Sequence, residues 1–159
     1  SGTLNGNTPQ KHIAAWRRIV DILRAEGVTN AKFAWSPNST AWPNTSANDL
    51  TQYYPGDAYV DYVGVDGFNF GNPWQSFSQV FDAAITKLKA YNKPIYIFSM
   101  ASAEGSQKAA WITDALTVQI PKYPEIKGFI WFNENKEQNW LVNSSQSALD
   151  AFKSSLSGY

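Results

Sequence analysis

The chain has 159 residues, no cysteine, one histidine, and 13 basic against 13 acidic side chains, so its formal net charge is zero. That length supplies one domain with a real core but falls short of a complete eight-fold β/α barrel, which takes about 200 residues or more. The balanced charge gives no footprint for nucleic acid or an anionic membrane, and no apolar run reaches the ~18 residues of a transmembrane span. The absence of cysteine excludes disulfides, thiolate metal sites and a cysteine nucleophile. One histidine rules out a multi-histidine metal centre, and no cofactor is expected.

The first predicted element is a helix. Thr8 is a good N-cap, Pro9 suits the first helical position, and Ile13, Trp16, Val20 and Leu23 recur at spacings of three and four before Gly27 stops the pattern. His12 lies near its start and reads as helix surface. A short strand follows at about Lys32 to Trp35. Residues 37–58 are rich in Asn, Ser, Thr and Pro, and a helical turn is expected near Ala47 to Tyr53.

The next strand is expected over Tyr59 to Val65, ending at Asp66-Gly67, with residues 68–71 as a loop. Phe77, Val80, Phe81, Ala84, Ile85 and Leu88 then give the cleanest helical period in the chain. Ile95 to Phe98 reads as a buried strand that ends in small polar residues, Ser99 first among them. A helix over about 107–118, a strand over about Gly128 to Phe132 ending at Asn133-Glu134, and a helix over about Ser145 to Leu156 complete the order. Strands alternating with helices imply a parallel α/β sheet. The whole chain, 1–159, reads as a single half-barrel domain.

Seven Trp and eight Tyr make aromatic content the compositional anomaly. Core packing is their ordinary use, but a sugar ring also offers an apolar C–H face to an aromatic ring. Trp35, Trp74 and Trp131 lie at or just past strand ends and are candidates for stacking. Trp16 and Trp111 sit inside helical patterns and read as core. Alternation along the strands assigns Phe33, Val63, Val65, Ile97, Phe129 and Trp131 to the barrel interior.

Several long segments carry a family resemblance. Trp35-Ser36-Pro37-Asn38, Tyr53-Tyr54-Pro55-Gly56-Asp57, Val63-Gly64-Val65-Asp66-Gly67, Lys108-Ala109-Ala110-Trp111-Ile112 and Trp131-Phe132-Asn133 occur in the order found in glycoside hydrolase family 26, the β-mannanase and β-1,3-1,4-glucanase family. The resemblance implies the second half of a (β/α)8 barrel, with these strands corresponding to the fifth through eighth. It implies a β-linked polysaccharide or oligosaccharide as partner and a secreted protein. Trp35, Asp66, Phe68, Asn69, Trp74, Trp131, Asn133 and Glu134 become the substrate-binding candidates.

The sequence departs from the family at the residues that break bonds. The family's nucleophilic glutamate falls where this chain has Ser99. Its acid/base glutamate ends the fourth strand, and the nearest remnant, Leu4-Asn5-Gly6, holds no carboxylate. Phe68 and Phe70 stand where the family usually has tyrosine and tryptophan. Retaining glycosidases need two carboxyl groups about 5 Å apart, and a serine hydroxyl without an activating base does not replace one. Asp66, Glu104 and Glu134 are the carboxylates left near strand ends.

Two readings follow. One is a non-catalytic glycan-binding half-barrel. The other is a component of an endo-β-mannanase or β-glucanase whose other half supplies the acid glutamate, or a scaffold fragment with no sugar role. Either way an open half-barrel has two free sheet edges and an uncovered interior, so a homodimer or a complementary half-barrel chain is expected.

Overall fold

The computed structural model describes residues 6–158, and Leu4 and Asn5 of the sequence reading lie outside them. Four strands form one parallel sheet in sequential order: β1 (Ala34–Trp35), β2 (Tyr62–Asn69), β3 (Ile95–Ser102) and β4 (Ile126–Trp131). The helices are α1 (Pro9–Ala25), α2 (Phe77–Lys89), α3 (Lys108–Asp114) and α4 (Gln146–Leu156). The expected order of elements is therefore found. No helix among the described residues is long and apolar enough to cross a membrane.

Local chemistry explains the helix boundaries. The Thr8 hydroxyl accepts from the Lys11 amide at 3.2 Å, Pro9 opens α1, and Gly27 leaves it at φ 78°, a conformation that costs glycine little. Ser76 and Gln79 form a reciprocal capping box at the start of α2, and Ser145 caps α4. α1 is fastened to the loop before β2 rather than to the sheet. Trp16 Nε1 donates to the Tyr59 carbonyl at 2.9 Å, Arg17 Nε to Pro55 at 2.7 Å, and an Arg24 guanidinium nitrogen to Ala58 at 2.8 Å.

Strand boundaries move: β1 starts at Ala34 and not Lys32, and β4 is Ile126–Trp131 where Gly128 to Phe132 was expected. Residues Asp57–Tyr59 form a 3₁₀ turn, so β2 starts at Tyr62 and runs on through Asn69. Residues 66–69, read from sequence as a strand end and loop, are thus strand. β3 likewise continues four residues past Phe98 to Ser102. In both places small polar residues sit inside a ladder whose hydrogen bonds do not depend on side-chain polarity.

The phase of the strands also differs from the sequence reading. Val63, Val65 and Ile97 are fully buried in one core with Phe77, Phe81, Leu88, Ile112 and Leu116, so they face the helices and not a barrel interior. Phe129 and Trp131 pack against the same core. The helix-covered side of a parallel sheet takes the aliphatic side chains because it is the side sealed from water. The opposite, open face carries Tyr62, Tyr96 and Phe98, whose rings meet in sequence at 5.4 and 5.6 Å. Gly64 lies beneath Phe98, and a Cβ there would run into the Phe98 ring. Ile130, 56% exposed, belongs to the same face by alternation with Phe129 and Trp131.

Away from the strand ends, Asp49 pairs with Lys87 on α2 and accepts from the Thr51 amide and hydroxyl at 3.0 and 2.7 Å. The Lys87 ammonium is the main reason the Asp49 carboxyl falls from 3.8 to about 2. A depressed carboxyl stabilises the fold fully above its unfolded value and loses that contribution as the pH falls through the folded one. Asp49→Asn is therefore expected to flatten the stability profile between about pH 4 and pH 2. Urea midpoints at stepped pH check it; an unchanged acid limb would show that the pair contributes nothing.

Candidate functional site: the C-terminal ends of the strands

β2, β3 and β4 run in the same direction, so their C-terminal ends bring Asp66, Phe68, Ser99, Ala101 and Phe132 to one end of the sheet. A β-bulge shapes this end. Val65 pairs with Ile97 but Asp66 pairs with Ser99, which leaves Phe98 as an extra residue on β3. Ile97 and Met100 on either side are both fully buried toward the helices, while Phe98 and Ser99 stay half-exposed. The bulge thus keeps two consecutive side chains out of the helix-side core and aims Ser99 beside Asp66.

Asp66 is half-buried and accepts from the Ser36 hydroxyl at 3.1 Å. Burial pushes its carboxyl up from the ordinary value, and the Ser36 hydrogen bond opposes only part of that shift. Asp66 stands among the described strand-end residues as a carboxylate held out of water. Its neighbour across the ladder is a hydroxyl, so no second carboxylate pairs with it there.

An aromatic cluster forms the floor. Phe68 lies 5.2 Å from Trp140 and 5.5 Å from Phe132, and Phe70 lies 5.1 Å from Trp140. Trp140 is 1% exposed and packs with Ala101 and Ala103. Its loop is held in two ways. The Trp131 indole donates to the Trp140 carbonyl at 2.8 Å. Lys108, fully buried at the first turn of α3, donates to the carbonyls of Asn139 and Leu141 at 3.1 and 2.8 Å and to the Ser144 hydroxyl at 2.8 Å. Glu104 sits 3.7 Å from the same ammonium. Burial lowers the Lys108 amine from its ordinary value, with Glu104 opposing the shift.

The sequence-predicted residues divide. Asp66 and Phe68 meet at this end, and Phe70, 51% exposed, joins them. Trp74 is half-buried beside the Gly71 and Gly105 backbones. Asn133 and Glu134 are exposed in the loop after β4, where the Asn133 carboxamide accepts from the Val142 amide at 2.7 Å and the Glu134 carbonyl accepts from the Trp140 amide at 3.0 Å.

Three assignments need correction. Trp35 is 3% exposed, edge-on to Tyr54 and Tyr91 at 5.2 and 5.9 Å, because β1 turns it toward the core. Trp131 points to the helix side, against Trp111 and Phe152. Asn69 is fully buried: Nδ2 donates to Ser102 Oγ at 3.0 Å, and Oδ1 accepts from the amides of Gly71 and Gln75 at 3.1 and 2.9 Å. It shapes the loop into α2, and its burial keeps it away from a sugar hydroxyl.

Sequence reasoning did not pick out Trp140 or Lys108 as site residues. A lysine within an apolar run, Lys108-Ala109-Ala110-Trp111-Ile112, was the available signal for a buried ammonium. No group of three or more metal-ligating side chains occurs among the described residues.

Residues 2–156 match the sequence model of glycosyl hydrolase family 26. The chain is 44% identical over 157 residues to endoglucanase H of Acetivibrio thermocellus, covering 94% of this chain and 17% of that protein. Among solved structures, the catalytic domain of a GH26 endo-β-1,4-mannanase from Bacillus sp. JAMB-750 superposes with a TM-score of 0.68 at 27% identity, over 95% of this chain and 44% of that one. A GH26 β-mannanase from Bacteroides ovatus gives 0.64 at 26% identity, over 91% and 42%. The chain thus spans less than half the length of each of these relatives.

Proposed function

Because the chain belongs to glycosyl hydrolase family 26, we propose that it binds a β-linked glycan at its strand ends and does not cleave it. One observation carries this reading. The bulge on β3 presents Ser99, and not a carboxylate, beside Asp66 at the position where the family resemblance expects the nucleophile. Binding and bond cleavage use different groups. Stacking on Phe70 and hydrogen bonding to Asp66 and Asn133 need no nucleophile, whereas a glycosyl-enzyme intermediate does. Glycan candidates are mannan and mixed-linkage glucan, the substrates of the family.

The test is affinity electrophoresis through gels containing glucomannan or mixed-linkage β-glucan. Retarded migration by one of them, reduced in a Phe70→Ala variant, is expected. Unretarded migration in both gels would contradict the reading.

The open face adds an assembly proposal. Tyr62, Tyr96, Phe98 and Ile130 line a surface too apolar for water, and β1 and β4 are the outer strands of the sheet. Four further β/α units, from a second copy of this chain or a complementary chain, would cover both. Sedimentation across a dilution series is expected to show concentration-dependent association. A monomer at every concentration would overturn it.

A second reading rests on relative length. The chain spans 17% of endoglucanase H, so it also suits one component of a glycan-cleaving enzyme whose remaining part brings the acid. Turnover that appears only on adding that part would favour it.

A further inference from the structure

Glu104, one of the three carboxylates near strand ends, sits in the loop between β3 and α3, four residues before Lys108, with its side chain 37% exposed. An ammonium has three N–H donors. In Lys108 the carbonyls of Asn139 and Leu141 and the Ser144 hydroxyl take all three. None is left for the Glu104 carboxylate, which stands 3.7 Å away, an ion-pair distance and longer than a hydrogen bond. Because the Ser144 oxygen accepts from Lys108, its own O–H is free to donate, and it donates to Glu104. The result is an ordered relay from ammonium to hydroxyl to carboxylate, with the Gly105 amide donating to the same carboxylate.

A fully buried ammonium needs a counter-charge. The charged groups on the elements packed around Lys108 are Asp150 and Lys153 on α4 and Glu134, Lys136 and Glu137 in the loop after β4. Asp150 accepts from Gln146 at 2.8 Å, and Lys136 pairs with Glu137 at 3.3 Å. Among the described residues, Glu104 is the carboxylate within ion-pair reach of Lys108. Burial lowers the Lys108 amine from its ordinary value, and Glu104 opposes that shift. Burial likewise pushes the Glu104 carboxyl up, but the Ser144 hydroxyl, the Gly105 amide and the Lys108 ammonium together hold it below its ordinary value. Each charge keeps the other ionised.

The atoms that Lys108 holds lie on both sides of Trp140. Two routes lead from them to the strand end. Trp140 supports Phe68 and Phe70, at 5.2 and 5.1 Å. Val142, next to Leu141, donates its amide to the Asn133 carboxamide at 2.7 Å. We propose that Glu104 is a positioning residue of the strand-end site: as counter-charge to Lys108 and acceptor from Ser144, it fixes residues 139–144 and through them places Trp140 under Phe70 and holds Asn133. The placement of the loop is independent of the ligand; that it serves sugar binding rests on the glycan-binding reading above. Direct contact with sugar is the competing role for Glu104, and its engagement by Ser144 and Gly105 favours positioning.

Fluorine NMR of the chain labelled with fluorotryptophan tests it, with the Trp140 line assigned by its loss in Trp140→Phe. Glu104→Gln keeps the shape and removes the charge. At neutral pH its Trp140 line is expected to move, while the lines of Trp16 and Trp35, on the β1 side, stay in place. Raising the pH deprotonates Lys108 and moves the Trp140 line in the unaltered protein as well. In Glu104→Gln that alkaline step is expected at lower pH, because an opposite charge favours the charged amine, and in Lys108→Met it is expected to vanish. Ser144→Ala, which breaks the relay and keeps both charges, should move the line less than Glu104→Gln; it serves as the test if Glu104→Gln fails to melt cooperatively. In gels of glucomannan or mixed-linkage β-glucan, Glu104→Gln should bind about fivefold more weakly than the unaltered protein. A Trp140 line and an alkaline step both unchanged in Glu104→Gln would overturn the proposal. Weaker retardation with an unmoved Trp140 line would make Glu104 a direct sugar ligand and also overturn it, as would a moved line with unchanged retardation. If the line moves but neither gel retards the unaltered protein, the glycan reading falls while the placement of the loop by Glu104 is upheld.

Discussion

Lys108→Met is expected to lower the unfolding free energy by about 3 kcal/mol. The ammonium is fully buried and satisfies three acceptors, two of them backbone carbonyls in the loop after β4. Methionine fills similar space and donates nothing. Removing the desolvated charge returns part of the cost, because burial opposes the charged amine. The stranded carbonyls of Asn139 and Leu141 cost about 1–3 kcal/mol each where water does not reach them, while the Ser144 hydroxyl keeps Glu104 as a partner. The loss outweighs the return, since breaking a buried network from one side leaves its other members unpaired. Urea unfolding followed by tryptophan fluorescence measures the change, and a loss under about 1 kcal/mol would mean that the loop does not depend on this tether.

Trp140→Ala is expected to cost about 3–5 kcal/mol, the range for a large aromatic removed from a core. Trp140 is 1% exposed and touches Phe68 and Phe70, so its loss opens a cavity under the aromatic floor. The Trp131 indole bond is to the backbone carbonyl of residue 140 and survives the substitution. The expected signature is therefore twofold: a lowered urea midpoint, and glycan affinity reduced in protein shown to be folded. Thermal melts with and without oligosaccharide separate the two. A variant that melts early yet binds glycan with unchanged affinity would remove Trp140 from the site.

The fold was legible where one periodicity acted alone. The buried face of α2 is the face its sequence period names, and Thr8-Pro9 marks the start of α1 as expected. The strands were harder because two features cancel in their pattern. Val63, Val65, Ile95 and Ile97 are fully buried against helices, so alternation said which residues share a face but not which face is the sealed one. The extra residue at Phe98 then breaks the alternation itself. Bulges leave no compositional mark, and so the phase at Ser99 could not be read in advance. The same limit explains Trp35 and Trp131. Both lie at strand ends, but a strand end has two faces and both residues take the helix side. Asp66 was legible as a strand-end carboxylate, whereas the role of Asn69 as a hydrogen-bonded hinge of the α2 loop depends on Ser102, 33 residues away.

Departures from the family concentrate at one place, Ser99 on the bulge with Phe68 and Phe70 nearby. The resemblance expects a carboxyl group at Ser99 and other rings at Phe68 and Phe70, while the carboxylate of Asp66, the Trp140 loop and the Lys108 tether keep the end of the sheet built. On the reading proposed above, such a site holds sugar without cleaving it.

Release of new reducing ends from glucomannan and mixed-linkage β-glucan, measured over hours at protein concentrations that saturate binding, tests the central claim most directly. No release above a protein-free control is predicted, from the chain as it stands and also from Ser99→Glu, which restores one carboxyl group without its acid partner. Steady release by the isolated chain, abolished by Asp66→Asn or Glu134→Gln, would contradict the account and identify the surviving carboxylates as catalytic.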